Sequence, residues 1–200
     1  MQNILIGIIL SYLIGSIPTS YIFGKLIKNI DLRKHGSGNL GATNVFRVLG
    51  PRWGVVTLIF DILKGVVCVT IIPYFFVSNM VSVEELKIIC GIFSIFGHIW
   101  TVFLGFKGGK GVATSTGVFF GICWQATLVC AILFGIIFYF SRYVSLGSIV
   151  AAIALPVFIQ IFSGNREYLI VSIIIAALVI IKHKTNVKRL IAGTENKIVW

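Results

Sequence analysis

Acidic residues are scarce in this chain, and charge of either sign is sparse. Its 200 residues include six Asp and Glu against 17 Lys and Arg, and charged residues make up 12% of the sequence. Soluble proteins average about 25%. Hydrophobic residues reach 58%, and the mean hydropathy is +1.02. These values exclude an ordinary soluble domain and predict an integral membrane protein.

Cysteine pairs of the metal-binding or redox type are also lacking. The four cysteines lie in apolar segments without C-x-x-C spacing, at Cys68, Cys90, Cys123 and Cys130. Packing is the favoured role for such residues, over a metal site or a disulfide. No other metal cluster or nucleotide site is visible, so we expect no metal and no cofactor.

Long apolar runs are abundant, by contrast. Five have about the 20 residues that cross a bilayer, at roughly 3–27, 53–77, 86–104, 145–163 and 166–182. Residues 112–140 would form a helix of roughly 43 Å at about 1.5 Å per residue, too long for one comfortable span. A break within Gly121–Ala126 would instead make two short helices.

The distribution of basic residues predicts the topology. The connection between residues 28 and 52 is strongly basic, whereas the next one carries Glu84 and Glu85 with one lysine, Lys87. The positive-inside rule places the first connection in the cytoplasm, and favours membrane topology over nucleic-acid binding as the reason for the net charge of +11. We therefore predict an all-α integral membrane protein with about seven transmembrane helices, two of them short, the N-terminus outside and the C-terminus cytoplasmic. Residues 1–200 would form a single membrane-embedded domain, with polar stretches 31–47, 105–114, 141–148 and 182–195 at the cytoplasmic face.

A first glycine-rich loop reads GSGNLGATNVFR, from Gly36 to Arg47. It fits G-x-G-x-x-G, but no strand precedes it, so the dinucleotide fingerprint is not supported. Glycines that adopt φ > 0 can direct backbone N–H groups at an anion, and an arginine fork suits two phosphate oxygens. The alternative is a simple turn beside a positive-inside arginine. The phosphate-binding candidates are Gly36, Ser37, Gly38, Asn39, Gly41, Thr43, Asn44 and Arg47.

A second loop, FKGGKGVAT from Phe106 to Thr114, combines glycines with two lysines. It is not a Walker A loop, because Gly111 follows Lys110 where that motif has Ser or Thr. A lysine flanked by free amides suits a phosphate or a developing oxyanion. Two anion sites indicate two phosphorylated reactants, or one reactant and an anionic leaving group. The candidates here are Lys107, Gly108, Gly109, Lys110 and Gly111.

The C-terminal stretch offers His183 as a general base or as a hydrogen-bond donor to a phosphate. Asn186, three residues later, shares its helical face if the last helix continues. A histidine that merely lies at the membrane interface is the alternative for His183, and also for His35 and His98. None of the three is followed by Asp four residues on, so an H-x-x-x-x-D acyltransferase signature is absent. Further polar candidates are Arg142, Ser145, Ser148, Arg189, Gly193 and Glu195.

Asp61 and Lys64 lie three residues apart inside the second apolar run. Intramembrane charges are usually functional or mutually paired. We expect a mutual pair that supports the loops, with a catalytic role as the alternative.

Taken together, the motifs resemble the bacterial acyl-phosphate:glycerol-3-phosphate acyltransferase family (PlsY), over essentially the whole chain. The stretches that carry the resemblance are GSIPTSYIFGK, GSGNLGATNVFR, DILKG, GHIWTVFLGFKGGKGVAT and KHKTNVKRLIAGTE. The resemblance implies a seven-helix enzyme of the bacterial cytoplasmic membrane that transfers a fatty acyl group from acyl phosphate to the sn-1 hydroxyl of glycerol 3-phosphate, giving lysophosphatidic acid. The expected catalytic residues are Arg47, Lys110, His183 and Asn186. The expected substrate-binding residues are Ser37, Gly38, Asn39, Gly41, Thr43, Asn44, Lys107, Gly108, Gly109, Gly111, Ser148 and Glu195.

No serine elbow or cysteine dyad is visible, so we expect direct attack by the substrate hydroxyl without an acyl-enzyme. The proton would go to His183 or to a substrate phosphate. We expect a monomer in the lipid bilayer with no nucleic-acid partner. The competing classes are a transporter, which would place its substrate near the bilayer midplane, and a membrane scaffold, which would not need the two loops.

Overall fold

The computed structural model describes residues 2–77 and 81–198. The chain divides into two compact units, Met1–Gly121 and Ile122–Trp200. That one domain spans residues 1–200 stays a prediction.

The first unit is built from seven α-helices and two 3₁₀ turns within the described residues. They are α1 Gln2–Ser16, α2 Thr19–Lys28, a 3₁₀ turn Leu32–Lys34, α3 Ala42–Leu49, α4 Pro51–Thr70, α5 Ile72–Phe76, α6 Val83–Ile99, a 3₁₀ turn Val102–Leu104 and α7 Val112–Ile122. Pro18 separates α1 from α2, because proline has no N–H to continue the helical ladder. Ser82 and Glu85 form a reciprocal capping box at the start of α6.

The second unit contains four helices in its described part. They are α8 Trp124–Ser141, α9 Val144–Phe162, α10 Arg166–Lys182 and α11 Lys184–Ile191. Asn165 caps α10 by accepting hydrogen bonds from the amides of Glu167 and Tyr168. The axes of α10 and α11 differ by 59°, so the last helix bends just where His183 stands.

The all-α prediction is confirmed, since residues 2–77 and 81–198 contain no β-strand. Five stretches are long and apolar enough to cross a membrane, at Gln2–Lys28, Pro51–Phe76, Val83–Leu104, Trp124–Ser141 and Val144–Phe162; the bent pair α10 and α11 makes up to six. The expected break in residues 112–140 is confirmed at Cys123. The expectation of two short helices is wrong for α8, which is long enough to cross a membrane, whereas α7 is shorter. Seven spans and the orientation of the termini stay predictions. The first two apolar runs, by contrast, each contain two helices and not one: α1 and α2 in the first, α4 and α5 in the second.

Glycines allow two helix pairs of the first unit to approach backbone to backbone. A Cβ on Gly15 of α1 would overlap the carbonyl of Ser94 in α6, and a Cβ on Gly97 of α6 would overlap that of Tyr12 in α1. Gly65 of α4 and Gly117 of α7 form the same reciprocal arrangement. Small residues at such contacts are typical of helix packing in membranes.

Candidate active site

The first glycine loop is held in shape by its own side chains. The amide group of Asn44 accepts from the Ser37 N–H (2.8 Å) and donates to the carbonyls of Leu32 (3.2 Å) and His35 (3.1 Å). Beneath the loop lies a small apolar core of Leu32, Leu40, Val45 and Leu49. Asn44 is therefore a structural member of the loop, since its side chain is occupied within the protein.

The backbone of this loop only partly matches the expected anion nest. Gly36 and Gly38 adopt φ of 60° and 70°, as expected, whereas Gly41 is extended at −140°. The expectation of φ > 0 at Gly41 is wrong, because this residue is the N-cap of α3. The N–H of Gly38 donates to the carbonyl of His35 (3.1 Å), and that of Ser37 to Asn44. The donors that fit an anion are instead those at the start of α3, which no side chain caps.

Arg47 lies on α3, a little more than one turn beyond that helix start, and is half-buried. Asn39 and Thr43 are also half-buried, and Ser37 is exposed. The structure thus keeps these four residues in one short segment, from the loop into the first turns of α3.

The second loop is anchored to the end of α6 by backbone hydrogen bonds. The N–H of Gly108 donates to the carbonyl of Ile99 (3.1 Å), and the N–H of Gly109 donates to that of His98 (3.0 Å). These amides are therefore not free to bind an anion, which corrects the expectation for Gly108 and Gly109. Gly111, with φ of 88°, turns the chain into α7, which starts at Val112.

The two lysines of this loop have different surroundings. Lys107 is exposed, whereas Lys110 is half-buried next to the start of α7. A partly buried ammonium group beside a helix N-terminus adds its charge to the helix dipole, which favours an anion there.

A buried polar cluster lies behind the second loop. The Lys64 ammonium group lies 2.8 Å from Asp61 Oδ1 and 2.8 Å from His98 Nδ1. The Thr19 hydroxyl donates to the same Asp61 oxygen (2.7 Å). The predicted Asp61–Lys64 pair is confirmed. His98, considered from the sequence as a histidine of the membrane interface, is instead buried in this cluster. Thr19 was missed, although a buried ion pair needs further polar partners.

The two glycine loops approach each other at this cluster. A Cβ on Gly109 would lie 2.7 Å from the carbonyl oxygen of Leu40, a residue of the first loop. A cavity of about 10 Å³, roughly the size that holds one water molecule, is lined in this region by Ser16, Ile17, Pro18, Thr19, Leu40, Lys64, His98, Thr101, Gly108 and Gly109.

In the second unit, Glu195 organises the C-terminal candidates. Its buried carboxylate accepts hydrogen bonds from Asn186 Nδ2 (2.6 Å), Arg189 Nε (2.7 Å) and the Ser145 hydroxyl (2.9 Å). Burial acts to raise the pKa of Glu195, but these three donors together hold it below its ordinary value. A carboxylate with these bonds orients Asn186, Arg189 and Ser145. A direct contact of Glu195 with a substrate stays a prediction.

His183 is buried at the bend between α10 and α11, and its Nδ1 lies 2.8 Å from the Val179 carbonyl oxygen. A carbonyl can only accept, so Nδ1 carries the hydrogen and Nε2 is the basic nitrogen of the neutral ring. Ser148 donates its hydroxyl to the Val144 carbonyl (2.8 Å) within α9, which leaves its oxygen as an acceptor.

Helical spans with two basic glycine loops, each leading into a helix N-terminus, define a multi-pass membrane protein with anion-binding features. Within that class, the chain belongs to the glycerol-3-phosphate acyltransferase family, whose model matches residues 5–193. The resemblance to PlsY is thereby confirmed.

Relatives match along nearly the whole length. The chain is 47% identical to a glycerol-3-phosphate acyltransferase of Endomicrobium trichonymphae, covering 96% of this chain and 94% of the relative. It is also 47% identical to one from Fusobacterium nucleatum subsp. nucleatum, covering 95% of each.

Two solved structures also superpose on nearly the whole chain. A crystal structure of PlsY (YgiH), an integral membrane glycerol 3-phosphate acyltransferase, in the glycerol 3-phosphate form superposes with a TM-score of 0.89 at 40% identity, covering 98% of this chain and 96% of that one. A second crystal structure, of a lysophosphatidic acid form, superposes with a TM-score of 0.87 at 39% identity and covers 98% and 95%.

Proposed function

We propose that this protein transfers a fatty acyl group from acyl phosphate to the sn-1 hydroxyl of glycerol 3-phosphate, giving lysophosphatidic acid and phosphate. Membership of the family and the likeness to PlsY in its glycerol 3-phosphate and lysophosphatidic acid forms support the acceptor and the product. The observation that carries the proposal is the pair of adjacent basic glycine loops, since both reactants bear a phosphate.

The reaction requires little beyond positioning and charge stabilisation. The acceptor oxygen attacks the acyl carbonyl carbon, a carbon–oxygen bond forms, and the bond to the phosphate leaving group breaks. An oxyanion develops at the carbonyl during attack, and fixed cationic and N–H donors stabilise it. We assign this role to Lys110, with Arg47 as a bidentate phosphate ligand. Direct attack, without an acyl-enzyme, is part of the proposal.

The proton of the attacking hydroxyl has two candidate acceptors, His183 and a phosphate oxygen of a substrate. The His183–Val179 hydrogen bond supports the first, because it leaves Nε2 as the basic nitrogen. We further propose that the enzyme works as a monomer in the bacterial cytoplasmic membrane, with its reacting groups on the cytoplasmic side.

A donor comparison on purified protein tests the proposal. Acyl phosphate, acyl-CoA and acyl-carrier protein are each offered with glycerol 3-phosphate, and lysophosphatidic acid is quantified. We expect turnover with acyl phosphate alone, without added metal or nucleotide. Equal turnover with acyl-CoA, or loss of activity in EDTA that a metal restores, would contradict the proposed donor or the metal-independent mechanism.

A further inference from the structure

The break between α1 and α2 leaves backbone carbonyls outside the regular helical hydrogen-bond ladder. The Ser16 carbonyl accepts from the Thr101 hydroxyl (2.6 Å). The Ile17 carbonyl accepts from both the Thr19 N–H (3.0 Å) and the Lys64 ammonium group (3.3 Å). Buried backbone groups of this kind need partners. Lys64 therefore links the α1–α2 break to α4, the helix on which it lies.

The same ammonium group also reaches α6. Because an ammonium group only donates, His98 Nδ1 must accept its hydrogen bond, and the neutral ring then carries its hydrogen on Nε2. Asp61 balances the lysine charge at 2.8 Å and is itself held by Thr19. The Asp61–Lys64 pair on α4 is therefore bonded to the α1–α2 break through Ile17, to α2 through Thr19 and to α6 through His98.

His98 is the point at which this cluster meets the second loop. Its side chain contacts Lys64, and its own carbonyl accepts the N–H of Gly109. A Cβ on Gly109 would overlap the imidazole ring, so the loop backbone lies directly against it. Displacing the ring would therefore displace the segment that carries Lys110.

We propose that Asp61, Lys64 and His98 are positioning residues, which hold the end of α6 and, through it, the backbone of residues 108–109, so that Lys110 is correctly placed. The proposal rests on the proposed function for its catalytic consequence only. The anchoring of the loop is a structural claim that can be measured without substrate.

Two substitutions at His98 distinguish its hydrogen bond with Lys64 from the volume that its side chain fills. His98→Leu removes the acceptor for Lys64, while Asp61 still compensates the lysine charge. His98→Asn places an amide oxygen near the position of Nδ1 and can accept the same hydrogen bond. We expect His98→Leu to lower kcat at least about 10-fold, since displacement of a catalytic group by about 1 Å can cost 100-fold. KM for both substrates should stay within about 3-fold, and His98→Asn should recover most of the rate.

Hydrogen exchange provides the readout that does not depend on activity. In His98→Leu, amides of a peptide covering residues 105–111 should exchange at least about 10-fold faster than in the wild type, and His98→Asn should restore protection. Unchanged exchange in His98→Leu, faster exchange with unchanged kcat, or His98→Asn no better than His98→Leu would each overturn the proposal.

A matched pair of double variants tests the ion pair. Asp61→Asn/Lys64→Met removes both charges together, which avoids leaving one uncompensated. Glu84→Gln/Lys87→Met removes another pair at the same i,i+3 spacing and the same 2.8 Å distance, in the first turns of α6, at the end of that helix away from His98. Only the first should accelerate exchange at residues 105–111 and lower kcat, and equal effects of both would overturn the proposal. A wild-type protein inactive with acyl phosphate would refute the proposed function, and the exchange measurements would still decide the anchoring.

Discussion

Lys107 and Lys110 stand three residues apart in one loop, yet the first is exposed and the second is half-buried beside the start of α7. Sequence analysis already assigned Lys110 to catalysis and Lys107 to substrate binding, and the structure adds the difference in their surroundings. Solvent and ions screen the interaction of the exposed Lys107 with a bound anion. The half-buried Lys110 interacts more strongly with an anion, because its surroundings have a lower dielectric constant.

Lys110→Ala should therefore lower kcat by at least about 100-fold, the scale on which one oxyanion donor contributes. Lys107→Ala should lower it much less. Rate and saturation are measured for both substrates in membrane-inserted variants whose folding has been checked. Near-normal turnover of Lys110→Ala would remove this lysine from the mechanism.

Arg47→Lys tests the bidentate phosphate contact. The substitution keeps the charge and removes the planar fork, so KM for a phosphorylated substrate should rise by about 10-fold or more, while kcat changes little. Measuring kcat and KM for both substrates, as for the lysine variants, separates an effect on binding from an effect on the chemical step. A large fall in kcat at unchanged KM would instead place Arg47 in the chemical step.

At the scale of single helices, the lengths of the apolar runs predict the long helices well. Helix length and proline chemistry account for two of the breaks within these runs. The break at Cys123 follows from the excess length of residues 112–140, and the break at Pro18 follows from the missing N–H. Hydrogen bonds between distant residues could not be predicted in the same way. The Gly108 and Gly109 amides donate to carbonyls at the end of α6, so their bonding depends on where that helix ends. The bonding of Glu195 depends on bringing the segment after α11 next to Ser145 of α9.

Glu195 gives this C-terminal element a predicted dependence on pH. The folded protein keeps the carboxylate ionised to a lower pH than the unfolded chain does, so acidification favours proton binding to the unfolded chain. The stabilisation is present above the ordinary pKa of about 4.3 and is lost as the pH falls through the lower pKa of the folded state.

Glu195→Gln should therefore be less stable than the wild type at pH 7, and the difference should shrink progressively below about pH 5. Thermal unfolding in detergent at several pH values measures it. A difference that stays constant with pH would show that the ionised carboxylate does not stabilise this element.

For the whole molecule, the distribution of basic residues predicts a topology. Counting long apolar helices alone gives five or six crossings. Cysteines are introduced one at a time at Lys34, Lys184 and Glu85, which are all exposed, in a variant lacking the four buried native cysteines. An impermeant thiol reagent should label only Glu85→Cys in intact cells.

Permeabilised cells are the control, in which all three cysteines should react. Labelling of Lys184→Cys in intact cells would place the C-terminus outside, and would contradict the odd number of crossings predicted from the sequence.

The reciprocal glycine contacts of the first unit bear on how the protein is made. Helices in a bilayer insert first and associate afterwards. The contact between α1 and α6 has one glycine on each helix, Gly15 and Gly97, so it cannot form until both helices have been made. During synthesis, α1 must therefore stay in the lipid without this contact at least until Gly97 has been added to the chain, which happens only after all of α4 has been made.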